Sequence, residues 1–315
     1  MQIPQVLIVD SEADFYAAAL RKAAAGAEYL TAASPEAALS LATGAQVIIG
    51  LAPRLTSELL RAAPRLEWVQ ALTTGVDNLL ADPALSGIAL TNASGFHGPQ
   101  MSELAILMML SCARNFPQML NNQRQATWQR WQQPLLRGKT VCLVGIGAIS
   151  ETLAGMCNAF GMRVTGVSDG RSAVPGFAAI YTRAALSQAA AEADFLVILT
   201  PYSEKTHHII NAGILAAMPR HAFLINLSRG GCVDEEALLA ALQDTTIAGA
   251  GLDVFATEPL PESSPFWTLP NVIVTPHIGG FSDVYAQQAL PRVAAHMVEY
   301  LRGGTAALTN RLDRS

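Results

Sequence analysis

The sequence predicts an α/β protein of two domains, each built on a parallel sheet covered by helices. Three observations predict it. Short apolar runs that read as strands alternate with helical stretches along the chain, and that alternation implies parallel sheets with helices on their faces. A glycine-rich turn, Gly145-Ile146-Gly147, falls between one such strand and the helix after it, where a second α/β unit would begin. The length of 315 residues is enough for two hydrophobic cores.

The elements follow in order. Residues 6–10 read as a strand and 13–25 as a helix, with further strands at 45–50, 66–72 and 88–92. Residues 103–113 are apolar nearly all the way round, the pattern of a helix buried on every side, here between two domains. The stretch 115–138, rich in Gln, Asn, Arg and Trp, reads as a connecting or interface arm. A second unit opens with a strand at 140–144 and continues with strands at 163–168, 195–200, 223–228, 250–254 and 272–275. A last long helix, about 282–301, carries the chain back to the first unit, which otherwise lacks a closing helix. The expected domains are therefore 1–100 with 283–315, and 101–282.

Composition narrows the function. Apolar residues make up 51% of the chain, so it is globular. The net charge of −5 without a basic run argues against a nucleic-acid partner. Lysine occurs only at Lys22, Lys139 and Lys205. Cys112, Cys142, Cys157 and Cys232 have no metal-ligand spacing and read as reduced thiols of a cytoplasmic protein. The segment from Met1 to Gln5 lacks a basic region followed by a long apolar stretch, so no signal peptide is expected. The longest strongly apolar run, 104–113, is too short to span a bilayer, and no membrane partner is expected.

Three residues in the last third carry the chemistry. Arg229, Glu258 and His277 each follow an apolar run that reads as a buried strand. In an open α/β sheet this puts all three at the carboxyl edge, where ligands bind. An arginine to grip a carboxylate, a histidine to move a proton and a glutamate to hold that histidine suffice for redox chemistry on a 2-oxo acid. Each alone has a bland reading: an interdomain ion pair, a solvated turn, a structural histidine. Their joint occurrence after a nucleotide loop favours function.

That loop is Gly145-Ile146-Gly147-Ala148-Ile149-Ser150. Gly145 and Gly147 allow a tight turn and close approach of backbone to a pyrophosphate, and the helix N-terminus at Ala148 and Ile149 offers free N–H groups. Ser150 stands where a third glycine, needed for helix–strand packing, is usual. About 20 residues on, an acidic residue should bond the adenosine ribose. Ser168 occupies the expected strand tip and Asp169 follows it. Asp169 would repel a 2′-phosphate and Arg171 could attract one. The balance leans to NAD over NADP.

These motifs resemble the D-isomer-specific 2-hydroxyacid dehydrogenases, the family that includes glyoxylate/hydroxypyruvate reductases. The resemblance covers nearly the whole chain. It is carried by Asn226-Leu227-Ser228-Arg229-Gly230-Gly231-Cys232-Val233-Asp234-Glu235, Gly251-Leu252-Asp253-Val254-Phe255, Glu258-Pro259-Leu260-Pro261 and the segment from Pro270 through Thr275-Pro276-His277-Ile278-Gly279. It implies a Rossmann-like dinucleotide-binding domain and a discontinuous flavodoxin-like substrate domain, with the active site in the cleft between them. It also implies a homodimer built through the nucleotide domain and its arm. On this resemblance, Arg229 binds substrate, His277 is the acid/base and Glu258 its partner. Thr74, Gly75 and Val76 belong to the loop whose amides hold the substrate carboxylate. Thr200 and Pro201 cross the adenosine side of the cofactor, and Asp253 looks toward the nicotinamide amide. Leu227, Ser228, Gly279 and Gly280 complete the expected cofactor contacts. Ser150, Ser168 and the lead Phe96-His97-Gly98-Pro99 depart from the family pattern. Leu51, Thr73, Met101 and Phe281 are positional candidates for the substrate pocket.

The expected function is reversible hydride transfer between NAD(P)H and a small 2-oxo acid, without a metal. The alternative is a non-enzymatic dinucleotide-sensing corepressor on the same fold, weakened by the lack of basic or low-complexity tails. A formate dehydrogenase relative would resemble a Gln–His pairing, which Glu258 speaks against.

Overall fold

The computed structural model describes residues 3–312. Met1 and Gln2, read above for a leader, and the last three residues of the expected substrate domain lie outside them. The chain divides into two compact units, Met1–Phe96 with Ser282–Ser315, and His97–Phe281.

The first unit holds five strands: β1 (Gln5–Val9), β2 (Glu28–Ala32), β3 (Val47–Gly50), β4 (Trp68–Ala71) and β5 (Ala89–Asn92). They lie in the order β2-β1-β3-β4-β5 with every neighbour parallel. β3, β4 and β5 are buried at every position, as a parallel strand covered on both faces must be. One face packs Val6, Ile8 and Val47 against Ala289, Val293 and Met297 of the helix Tyr285–Gly303. The other packs Leu7, Val9 and Ile48 against Leu55 and Leu59. The returning helix is also tied by polar bonds. His296, fully buried, meets Gln70 Oε1 through Nδ1 at 2.7 Å, and that oxygen accepts the Thr91 hydroxyl at 2.7 Å.

The second unit holds β6 (Thr140–Val144), β7 (Arg163–Val167), β8 (Ala179–Tyr181), β9 (Phe195–Ile198), β10 (Phe223–Asn226), β11 (Gly249–Leu252) and β12 (Val272–Val274). Their order is β12-β11-β10-β9-β6-β7-β8, again all parallel. The chain runs outward one way through β7 and β8 and the other way from β9, so the strand order reverses between β6 and β9. Ligands bind in such a sheet outside the carboxyl ends of its strands, at this switch point. The two parallel sheets with their helices are the expected α/β, Rossmann-like architecture.

Several expectations are corrected. β2 and β8 were not anticipated. Both are edge strands with half-buried positions and lack a continuous apolar run. The helix read at 103–113 spans Gly98–Arg114, because Pro99 fits the first turn of a helix. It is not buried on every side: Met101, Ala105, Met108 and Met109 face the core, while Leu107 is 58% exposed. The arm contains a helix, Phe116–Arg124, followed by irregular chain. All four cysteines are free; three are buried and Cys112 is partly so. No helix among the described residues is long and apolar enough to cross a membrane.

Candidate active site

Arg229, Glu258 and His277 all fall in the second unit, beyond the carboxyl ends of β10, β11 and β12, three neighbouring strands of one sheet. Parallel register sets this. Asn226, Leu252 and Val274, the last residues of the three strands, lie side by side in the ladder, so each following loop starts at the same edge.

His277 Nδ1 and Glu258 Oε2 are 2.7 Å apart. The other oxygen of Glu258 accepts the Phe255 N–H at 2.9 Å, which fixes the plane of the carboxylate. Partial burial pushes the Glu258 carboxyl up. The bonds from His277 and Phe255, with the Arg229 charge nearby, outweigh that and hold it below the usual carboxylate range. Glu258 is therefore ionised at neutral pH, so His277 carries its proton on Nδ1. That leaves Nε2 as the nitrogen able to exchange a proton with a ligand. The backbone of His277 is left-handed, with φ +53°. A non-glycine residue in that region is held there by its surroundings, at about 1–3 kcal/mol. Here the His277 N–H donates to the Asp253 carbonyl at 2.8 Å.

Asp253 supplies most of the hold. It is 1% exposed. Its Oδ1 accepts the Thr275 hydroxyl at 2.6 Å and the Ile278 N–H at 3.0 Å, and its Oδ2 accepts the Gly279 N–H at 2.9 Å. The carboxylate expected to look toward a nicotinamide thus spends both oxygens on the turn that presents His277. A carboxylate carries about four lone-pair sites, so acceptor capacity remains. A Cβ at Gly279 would lie 2.9 Å from Asp253 Oδ2 and 3.1 Å from Met101 Sδ, so a side chain there would push against the carboxylate that holds the turn.

The Arg229 loop is set by Asn226, whose Oδ1 accepts the Ser228 N–H and hydroxyl and whose Nδ2 donates to the Arg229 carbonyl at 3.1 Å. The Arg229 guanidinium donates to the Ser228 carbonyl at 2.6 Å. Next to it, a Cβ on Gly230 would sit 1.9 Å from the Phe255 carbonyl carbon. Backbone contact between the Arg229 and Glu258 loops depends on that glycine.

The nucleotide loop leaves β6 at the switch point. Gly145 has φ +96°, and a Cβ there would lie 2.7 Å from the Thr200 backbone, while nothing lies within 4 Å of a Cβ on Gly147. Thr200 is thereby placed against the loop, with Pro201 next in the chain. The first N–H groups of the helix Ala148–Ala159, among them those of Ala148 and Ile149, have no partner within a helix. An open glycine edge with unpaired amides fits a pyrophosphate. Ser150 is accommodated at the third glycine position because its hydroxyl donates to the Gly145 carbonyl at 2.5 Å, tying the turn. At the tip of β7, Ser168 Oγ accepts the N–H groups of Gly170 and Arg171, each at 3.2 Å. Asp169 pairs with Arg183 at 3.4 Å and Arg171 with Glu151 at 3.1 Å. Leu227 and Ser228 are buried beside the loop that carries Arg229.

Thr74, Gly75 and Val76 lie in the first unit, beyond the carboxyl end of β4. The Thr74 hydroxyl donates to the Ala93 carbonyl and the Thr73 hydroxyl to the Gly75 carbonyl. Among the described residues no acceptor bonds the Gly75 or Val76 N–H. Leu51 and Thr73 belong to this unit, Met101 and Phe281 to the other.

Reading the sequence missed Thr275, Gln100 and His97. Gln100 donates to the Gly280 carbonyl at 3.3 Å. His97 packs near Gly280, and burial pushes its imidazole down to about 4. The departure from family pattern at residues 96–99 was the available signal. Among the described residues, no group of three or more His, Cys, Asp or Glu could hold a metal ion.

A seven-stranded parallel sheet with a glycine-rich turn at its switch point and an Arg, Glu and His at the same edge defines the class of dinucleotide-dependent oxidoreductases. Comparison with known proteins makes this specific. The family described as D-isomer specific 2-hydroxyacid dehydrogenase, NAD binding domain, matches residues 106–279. Glyoxylate/hydroxypyruvate reductase B of Yersinia enterocolitica is 38% identical over 251 residues, 76% of each chain. A D-isomer specific 2-hydroxyacid dehydrogenase family protein from Aeromonas salmonicida superposes with a TM-score of 0.91 at 32% identity, covering 100% of both chains. An NADPH-dependent glyoxylate/hydroxypyruvate reductase from Sinorhizobium meliloti, solved with NADP and sulfate, gives 0.83 at 29% identity, covering 99% of this chain and 98% of that one. The chain belongs to the D-isomer specific 2-hydroxyacid dehydrogenase family.

Proposed function

We propose that the protein reduces a small 2-oxo acid of the glyoxylate or hydroxypyruvate type to its D-2-hydroxy acid, reversibly, with NAD(P)H. The observation that carries this is the 2.7 Å bond between His277 and Glu258 at the sheet edge that also bears Arg229 and the Gly145 turn. The bound nicotinamide supplies or accepts the hydride. Protonated His277 gives its Nε2 proton to the carbonyl oxygen and becomes neutral, and Glu258 balances the charge the ring carries before that transfer. The Arg229 guanidinium holds the substrate carboxylate and stabilises charge developing on that oxygen. The unpaired amides of Gly75 and Val76, with Thr74, are our proposal for further substrate contacts. In the oxidative direction neutral His277 removes the hydroxyl proton.

We assign the preference to NAD, because both arginines at the β7 tip already face carboxylates that a 2′-phosphate must displace. We also assign a homodimer, formed through the Gly98–Arg114 helix and the arm. Leu107, Trp128 and Leu135 stand more than half exposed there, and apolar groups of that size are usually covered. A cytoplasmic location fits four free thiols. The test is oxidation of NADH and NADPH, followed by absorbance, with glyoxylate, hydroxypyruvate and larger 2-oxo acids. Turnover on none of them, by protein that binds cofactor, would favour the dinucleotide-sensing corepressor instead.

A further inference from the structure

The β7 tip carries a feature that the acidic residue alone does not explain. Asp169 is held from two sides by one residue of the next element. The Arg183 N–H donates to Asp169 Oδ1 at 2.8 Å, and the Arg183 Nε lies 3.4 Å from Oδ2. The same guanidinium donates through its NH1 nitrogen to the Lys205 carbonyl at 3.3 Å. Lys205 lies in the loop that starts at Thr200 and Pro201. Thr206, 3% exposed, ties that loop: its hydroxyl donates to the Pro201 carbonyl at 2.8 Å and accepts the Ser203 N–H at 2.7 Å. Arg183 is thus a strut between the strand tip and the loop against the Gly145 turn.

We propose that Arg183 is a specificity-determining residue for the cofactor, one that sets how strongly Asp169 discriminates between NADH and NADPH. This rests on the dinucleotide reading above. Asp169 can accept a bond from a ribose hydroxyl and repels a 2′-phosphate. With Arg183 beside it the net charge at the tip is nearly balanced, so the repulsion is attenuated. In the free protein the pair is solvated and contributes little to stability. Dinucleotide binding excludes water from it, and the same charges then act more strongly. The strut also holds the Asp169 carboxylate in one orientation, since its backbone bond persists whichever side chain stands at 183.

Three variants test this by direct titration of NADH and NADPH, using nicotinamide fluorescence and calorimetry, with no turnover required. Arg183→Gln should weaken NADPH about tenfold relative to NADH, the order of one uncompensated like charge. Asp169→Asn should move the ratio in the opposite direction by a similar factor. The double variant should return the ratio near the wild-type value, because the two charges act as a pair. Melting temperatures should stay within about 2 °C, as both groups are exposed. An unchanged ratio in Arg183→Gln, or a double variant whose ratio stays far from the wild-type value, overturns the proposal while leaving the dinucleotide reading intact. Wild-type protein that binds neither nucleotide overturns both.

Discussion

Replacing Glu258 by Gln removes one charge and almost no volume, so it isolates what the carboxylate does for His277. In the wild type Oε1 accepts from the Phe255 N–H and Oε2 faces His277 Nδ1. If the Gln oxygen keeps the Phe255 bond, its NH2 group faces Nδ1. It can then donate only to an unprotonated Nδ1, which disfavours the imidazolium. If the amide flips, the Phe255 bond is lost. Either way the charged ring loses its partner. Two unit charges about 4 Å apart interact by roughly 1–4 kcal/mol between bulk water and an effective dielectric of 20. The pair is 45% and 34% exposed, so solvent screening takes the value to the lower part of that range, about 1–2 kcal/mol. A difference of about 1.4 kcal/mol is tenfold in a rate constant. Reduction kcat/KM, which needs the charged ring, should therefore fall by about tenfold in Glu258→Gln, and oxidation, which needs the neutral ring, should lose less. Glu258 itself is held below the usual carboxylate range, so its own protonation does not intrude near neutrality. The assay is kcat/KM against pH in both directions, under conditions where a deuteride isotope effect shows that hydride transfer limits the rate. Superimposable profiles in the two proteins would refute the role given to the pair.

Arg229→Gln should leave dinucleotide affinity within about twofold and lower kcat/KM for reduction by about 3–5 kcal/mol, as for loss of a charged contact to the reacting group; near-normal kcat/KM on the best 2-oxo acid would show that Arg229 does not hold substrate. Ser168→Asp should raise the kcat/KM ratio of NADH to NADPH, since one oxygen can keep the caps on Gly170 and Arg171 while the other bonds ribose; a lowered ratio would place the ribose elsewhere. Asp194, which accepts from Lys139, the Thr140 N–H and His221, is pushed up by burial but held below the usual carboxylate range by those three bonds. Its folded value is depressed, so its contribution is present above the unfolded carboxylate value and is lost as pH falls through the folded one. Asp194→Asn should cost about 2 kcal/mol in urea unfolding at neutral pH, with the deficit shrinking below about pH 4; a pH-independent deficit would mean that packing, not charge, holds this corner.

Strands buried on both faces were legible because they must be written as apolar runs. β1, β3, β4 and β5, and β6, β9, β10 and β11, stand in the sequence as such, with ends that differ by no more than two residues. β2 and β8 were not legible, because an edge strand half open to solvent needs no such run. Register within a parallel sheet then made the site partly readable. A charged residue just past an apolar strand is at the carboxyl edge wherever the strand lies in the order, so Arg229, Glu258 and His277 were placed without coordinates. Which of them touch, and what else holds them, depended on contacts between loops that the chain order does not encode. Only the tertiary structure decided that Asp253 commits three bonds to the turn of His277, that Gly230 must lack a Cβ because the Phe255 backbone passes it, and that Asp169 is gripped by Arg183 from the next element. The physical reason is one of range. Burial and strand direction are set by local patterns of apolar residues, whereas the charge state and orientation of a side chain are set by whichever loops the strand order brings within a hydrogen-bond length.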